Sequence, residues 1–101
     1  MDLHAELMKR CERFPLYSQE AVSDPQVCAK LFFIAGSGTW YVTEYNPATR
    51  IGFGYVTGFC ADEWGYFSIS EMQATRFAGI CAFEVDLYFT PVTASAVGVT
   101  K

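Results

Sequence analysis

Three carboxylates, Glu44, Glu84 and Asp86, are the residues of this 101-residue chain whose types best suit chemistry. Glu84 and Asp86 lie two apart, which places both on one face of a strand, and Glu44 closes an alternating run that starts at Trp40. If the three converge they could hold Mg²⁺ or move a proton; spread over a solvated surface they would do neither. His4 is the only histidine. That excludes a His/Cys zinc centre and a Ser/His/Asp triad, and it leaves His4 as a solvated helix residue. No GxxxxGK[ST] run occurs, and Gly36, Gly38, Gly52, Gly54 and Gly58 fall in turn and strand contexts rather than ahead of a helix. No cofactor or metal is expected, and the chain reads as a non-enzyme.

Rings and charges suggest binding instead. Asp62 and Glu63 sit beside Trp64, Glu84 and Asp86 follow in the same acidic half, and Tyr41, Tyr45 and Arg50 are of the types that anchor protein interfaces. These eight residues form the candidate partner-binding set. Phe32, Tyr41 and Tyr45 beside Lys30 and Arg50 would also suit stacking on single-stranded nucleic acid. The net charge is −4, and residues 51–100 carry five acids against Arg76 alone, whereas residues 1–50 carry six acids against five bases. An acidic surface repels duplex nucleic acid and attracts a partner with a basic surface.

One domain spans residues 1–101, long enough to bury its own core. The apolar share is 51% and the aromatic share 17%, too rich for disorder, yet no run is long enough to cross a bilayer. The acidic start at Asp2 and Glu6 does not resemble a signal peptide, so a cytoplasmic home is expected. Cys11, Cys28, Cys60 and Cys81 contain no CxxC pair and are expected to be reduced, small buried hydrophobes.

The elements that must position these side chains make an α+β fold. Leu3, Leu7, Cys11 and Phe14 recur at helical spacing, giving an amphipathic helix over 1–14 that Pro15 closes. Residues 15–26 are a surface connector. Residues 27–59 pattern as a three-stranded antiparallel meander, with strands near 27–34, 39–46 and 50–59 and tight turns at 35–38 and 46–49. That register puts Phe33 opposite Trp40, Leu31 opposite Val42, Trp40 opposite Tyr55 and Val42 opposite Phe53 on an apolar face. The second face would carry Lys30, Phe32, Tyr41, Thr43, Tyr45, Arg50, Gly52 and Gly54, with Tyr41 over Gly54 and Thr43 over Gly52. Such a face is covered by a later helix or the C-terminal segment, or binds a partner, or packs in a homodimer. Residues 61–65 read as a turn, Ser68-Ile69-Ser70-Glu71 as a capping box opening a helix to about 78, residues 82–90 as a half-buried strand, and 92–101 as a loose tail.

Four stretches, Leu16-Tyr17-Ser18-Gln19, Thr39 to Glu44, Gly65 to Glu71 and Glu84 to Phe89, resemble a bacterial family known as a domain of unknown function (DUF2958-like) over roughly residues 14–92. Val85 stands where that pattern would place an arginine between the two acids. The resemblance implies a setting on plasmids and integrative elements, and no enzyme activity. Small acidic proteins of that setting suggest a counter-defence inhibitor, anti-CRISPR or anti-restriction, acting as a monomer or homodimer on a host or defence protein.

Overall fold

The computed structural model describes residues 1–101. Helix α1 (Leu3–Arg10) begins where the Asp2 carboxylate accepts from the Ala5 N–H, and Glu6 and Lys9–Arg10 complement the two ends of its dipole. Two short pieces follow the connector, β1 (Gln26–Val27) and β2 (Ala29–Phe33), then β3 (Thr39–Asn46), β4 (Ile51–Thr57) and β5 (Glu63–Ser68). Helix α2 (Ile69–Ala74) is capped by the Ser68 hydroxyl, which accepts from Glu71 N–H at 3.2 Å, as the Ser-x-x-Glu spacing leads one to expect. After it come a hairpin of β6 (Arg76–Phe77) and β7 (Ile80–Cys81), then β8 (Phe83–Val85), β9 (Val92–Thr93) and a 3₁₀ turn at Ala94–Val97. Five strands form one antiparallel sheet in the order β5-β4-β3-β2-β8. The fold is α+β, as the patterning indicates.

Register departs from expectation in two ways. Between β2 and β3 the pairing is Leu31 with Trp40 and Ala29 with Val42, a slip of two residues, so every side chain keeps its face. Between β3 and β4 the loop runs through Pro47 to Arg50, longer than a tight turn, with Asn46 opposite Ile51. Trp40 therefore faces Val56 and Val42 faces Gly54, while Phe53 and Tyr55 leave the core face for the other side. A β-bulge at Thr43 then flips the alternation within β3. Tyr45 goes into the core, and Glu44 moves to the second face.

The core face carries Ala29, Leu31, Trp40, Val42, Tyr45 and Val85 against Leu3, Leu7, Ile69 and Met72 of the two helices. Phe67, not Thr43, lies over Gly52 and leaves no room there for a Cβ; Gly54 abuts the Tyr41 carbonyl rather than its ring. Cys11 and Cys28 are joined as a disulfide with Cα atoms 5.3 Å apart, which corrects the expectation of four free thiols; Cys60 and Cys81 are free. The sequence separation of 17 hides that proximity, which joins the C-cap of α1 to the residue between β1 and β2.

The C-terminal segment is not loose. β9 pairs with β1, Ala94 N–H donates to Pro25 C=O at 2.8 Å, and the Asp24 carboxylate accepts from both the Ser95 N–H and its hydroxyl. Those two bonds, the hydroxyl's first, hold the Asp24 carboxyl below its usual pKa. Val27, Ala94 and Val99 form a small second core with Tyr41, Tyr55, Trp64 and Phe89, so this segment covers the middle of the sheet's second face.

Three further expectations are corrected. The 61–65 turn is largely strand, because β5 starts at Glu63. The second helix stops at Ala74, since Thr75 is extended and the chain turns back through Ala78 and Gly79, both at positive φ. The 82–90 strand ends at Val85, where Asp86 Oδ1 accepts from Tyr88 N–H and the Asp86 C=O from Phe89 N–H, closing a turn instead.

Candidate functional site

The bulge at Thr43 organises the most heavily bonded polar cluster. Glu44, only 3% exposed, points at the connector, where its Oε1 accepts from Tyr17 N–H at 2.8 Å and its Oε2 from Gln19 N–H at 2.9 Å. Tyr17 reaches that position at φ 72°, a left-handed conformation that costs on the order of 1 kcal/mol and that the charge-assisted bond offsets. The Gln19 side chain, also buried, donates to the C=O groups of Gln26 and Thr43 and accepts from Gln26 N–H at 2.7 Å. One acid and one amide thus staple the connector to the bulged strand. Lys101 completes the staple by donating to the C=O groups of Gln19, Glu20 and Val22 at 2.7–2.9 Å.

Beside Glu44 the second face carries a ring cluster. Phe53 stacks on Trp64 at 5.8 Å and meets Tyr66 at 4.8 Å, and Trp64 meets Tyr55 edge-on at 5.3 Å. Desolvation first, then Tyr17, Glu20 and Glu44, pushes the Tyr66 phenol above its ordinary pKa. A hollow of about 80 Å³ lies between this cluster and the connector.

The eight candidate binding residues do not form one patch. Asp62 and Glu63 are exposed where β5 begins, with Asp62 accepting from Gly58 N–H at 3.2 Å. Trp64 is half-buried in β5, and its Nε1 donates to Thr100 C=O at 3.0 Å. Glu84 and Asp86 lie at β8, the opposite edge of the sheet. Four strand spacings separate the edges, about 19 Å in all. Tyr41 is half-buried under the C-terminal segment with Lys30 Nζ 5.8 Å from its ring centre. Tyr45 is buried on the core face, its hydroxyl 2.7 Å from His4 Nδ1, so His4 has a partner and is not a freely solvated helix residue. Burial pushes the Tyr45 phenol up, with Arg50 opposing. Arg50 itself is exposed in the β3–β4 loop at φ 59°. Tyr41 and Tyr45 therefore face opposite sides of the sheet, and the stacking platform of Phe32, Tyr41 and Tyr45 does not exist as a set.

The carboxylates do not converge either. Glu44 is occupied by backbone N–H groups, and no three His, Cys, Asp or Glu side chains are grouped to hold a metal ion. Positive charge gathers elsewhere. Lys9, Arg10 and Arg13 line an open hollow of about 490 Å³ at the end of α1, where Lys9 pairs with Glu6 and Arg10 holds two carbonyls.

Residues missing from the candidate set are Tyr17, Glu20 and Tyr66 at the hollow, and Leu87 and Tyr88 after β8. Tyr88 is 96% exposed, the most open of the large hydrophobic side chains, yet the backbone of its loop is held. Arg10 donates to the C=O groups of Leu87 and Phe89 at 3.2 and 3.1 Å, and Asp86 closes the turn beneath. The four family-like stretches would have pointed there: Tyr17, Gln19, Glu44 and Tyr66 come from three of them and meet around the Glu44 carboxylate, and Tyr88 comes from the fourth.

No helix is long and apolar enough to cross a membrane. Neither a curated protein nor a solved structure matches the chain. The model of a family described as "Protein of unknown function (DUF2958)" matches residues 2–97, nearly the whole length. The chain belongs to the DUF2958 family.

Proposed function

We propose that the chain is a non-catalytic protein-binding module of a mobile genetic element that acts in the cytoplasm, occluding a basic, nucleic-acid-handling surface of a host or defence protein in the manner of an anti-restriction or anti-CRISPR inhibitor. The observation that carries this reading is Tyr88, held in water on a loop that Arg10 and Asp86 keep rigid. A loop whose backbone is already fixed adds little ordering entropy of its own on binding, and tyrosine is a type that anchors interfaces. Around it lie Glu84, Asp86, Leu87 and Phe32, lining a shallow hollow of about 160 Å³. The ring and the acids together suit a partner surface rich in Lys and Arg, and the −4 charge steers such a partner.

The test is affinity capture from the native host with the wild-type chain and with Tyr88→Ala. We expect a protein with a basic surface to be retained by the wild type and lost, by tenfold or more, on the variant, because truncating a hot-spot tyrosine typically costs about 2 kcal/mol or more. A partner retained equally by both would remove Tyr88 from the contact.

A further inference from the structure

The hollow between the connector and the β5 edge has the chemistry of a cation site. Tyr17, Glu20, Glu44, Phe53, Tyr66 and Lys101 line it. The buried Glu44 carboxylate forms one side, and the rings of Phe53 and Tyr66, inclined at 55° with centres 4.8 Å apart, form another. Tyr17 and Tyr66 are 62% and 59% exposed, so both rings stand at the mouth. Each carboxylate oxygen has two acceptor sites, and each Glu44 oxygen uses one on a backbone N–H. Two acceptor sites therefore remain, one on each oxygen. Lys101 does not take them, because its ammonium donates its three protons to the Gln19, Glu20 and Val22 carbonyls.

Two carboxylates, three rings and one ammonium thus line the hollow, and the three protons of that ammonium are already taken by carbonyls. A phosphate or carboxylate would meet the like charges of Glu20 and Glu44. A planar guanidinium meets each requirement: it stacks on aromatic faces and presents paired N–H groups in the geometry a carboxylate accepts. We propose that this hollow binds the guanidinium group of an arginine side chain on a protein partner. The site stands on the β5 side, across the sheet from Tyr88, and does not depend on the β8 surface being an interface.

The test needs no identified partner. The intact chain, labelled with ¹⁵N, is titrated with N-acetyl-arginine methylamide, then with the neutral citrulline analogue and with N-acetyl-lysine methylamide. The Tyr17 and Gln19 amides report directly, because both donate to Glu44. We expect saturable shifts at these amides and at Tyr66 with a Kd on the order of 1 mM for arginine, weaker binding of lysine and none of citrulline. Tyr66→Ala should weaken arginine about tenfold and Tyr66→Phe should not, since the ring face rather than the hydroxyl does the binding. Tyr66 is largely exposed, so neither variant threatens the fold. Absence of saturable shifts, an equal response to citrulline, tighter binding of lysine, or unchanged affinity in Tyr66→Ala would each overturn the proposal. Loss of the captured partner on Tyr88→Ala with no arginine binding would leave the β8 surface standing and remove this site alone.

Discussion

Replacing Trp40 by Ala lowers the stability of the fold by about 3 to 5 kcal/mol. Trp40 is 8% exposed in the core face of the central strand, flanked across the sheet by Leu31 and Val56. Its ring meets Phe83 and Phe59 edge-on, with centres 5.2 and 5.5 Å away, so it ties the β8 edge to the segment following β4. Truncation to a methyl removes the apolar burial of a tryptophan and leaves a cavity that two strands cannot close, because their backbones are fixed by the sheet ladder. Urea denaturation followed by circular dichroism measures the loss. A change below about 1 kcal/mol would place Trp40 outside the core and undo the assignment of faces.

Glu44→Ala costs about 3 kcal/mol by the same measurement, and Glu44→Gln a smaller part of that. Removing the carboxylate leaves the Tyr17 and Gln19 N–H groups without acceptors, and each unpaired buried donor costs about 1 to 3 kcal/mol. Tyr17 then has no bond to offset its left-handed backbone. Gln keeps one carbonyl oxygen in place, so one donor stays satisfied. Hydrogen exchange locates the effect: the Tyr17 and Gln19 amides should lose protection while those of α2 keep it. If all amides kept their protection, the connector would be held by the Gln19 side chain and Lys101 without Glu44.

The legible parts of the fold were those set by local chemistry. Ser68 caps its helix, Leu3 and Leu7 face the core, and the alternation of β2 and of β3 as far as Val42 survives a two-residue slip because a shift of two preserves the face. The bulge at Thr43 left no local mark. It has no glycine, and its carbonyl is satisfied by the side chain of Gln19, 24 residues earlier, so nothing in Trp40 to Tyr45 indicates that Glu44 and Tyr45 exchange faces. The β3–β4 loop misled for a related reason. Asn46-Pro47 has turn chemistry, with Asn46 Oδ1 accepting from Ala48 N–H, but the chain continues to Arg50 before it pairs again. The C-terminal segment looks weak because its residues are small, yet they are held by Asp24, 71 residues away. Of the candidate binding residues, Asp62 and Glu63 are exposed and Glu84 and Asp86 half-buried, whereas Tyr45 is in the core and Trp64 is half-covered. Exposed rings are set by which segments are left uncovered, and that depends on the long-range packing of the tail.

The central claim is that an acidic, ring-bearing edge recruits a basic protein partner, and the most direct measurement is surface plasmon resonance with the captured protein at two salt concentrations. Three chains are compared: the wild type, Glu84→Lys with Asp86→Lys, and Asp62→Lys with Glu63→Lys. Exposed charges act over about 10 Å at 0.1 M salt, so the edges, about 19 Å apart, report separately. The account predicts that the β8 variant associates about tenfold more slowly at low salt, that the deficit shrinks at high salt, and that the β5 variant changes less. Association rates in the β8 variant equal to the wild type at both salt concentrations would contradict it.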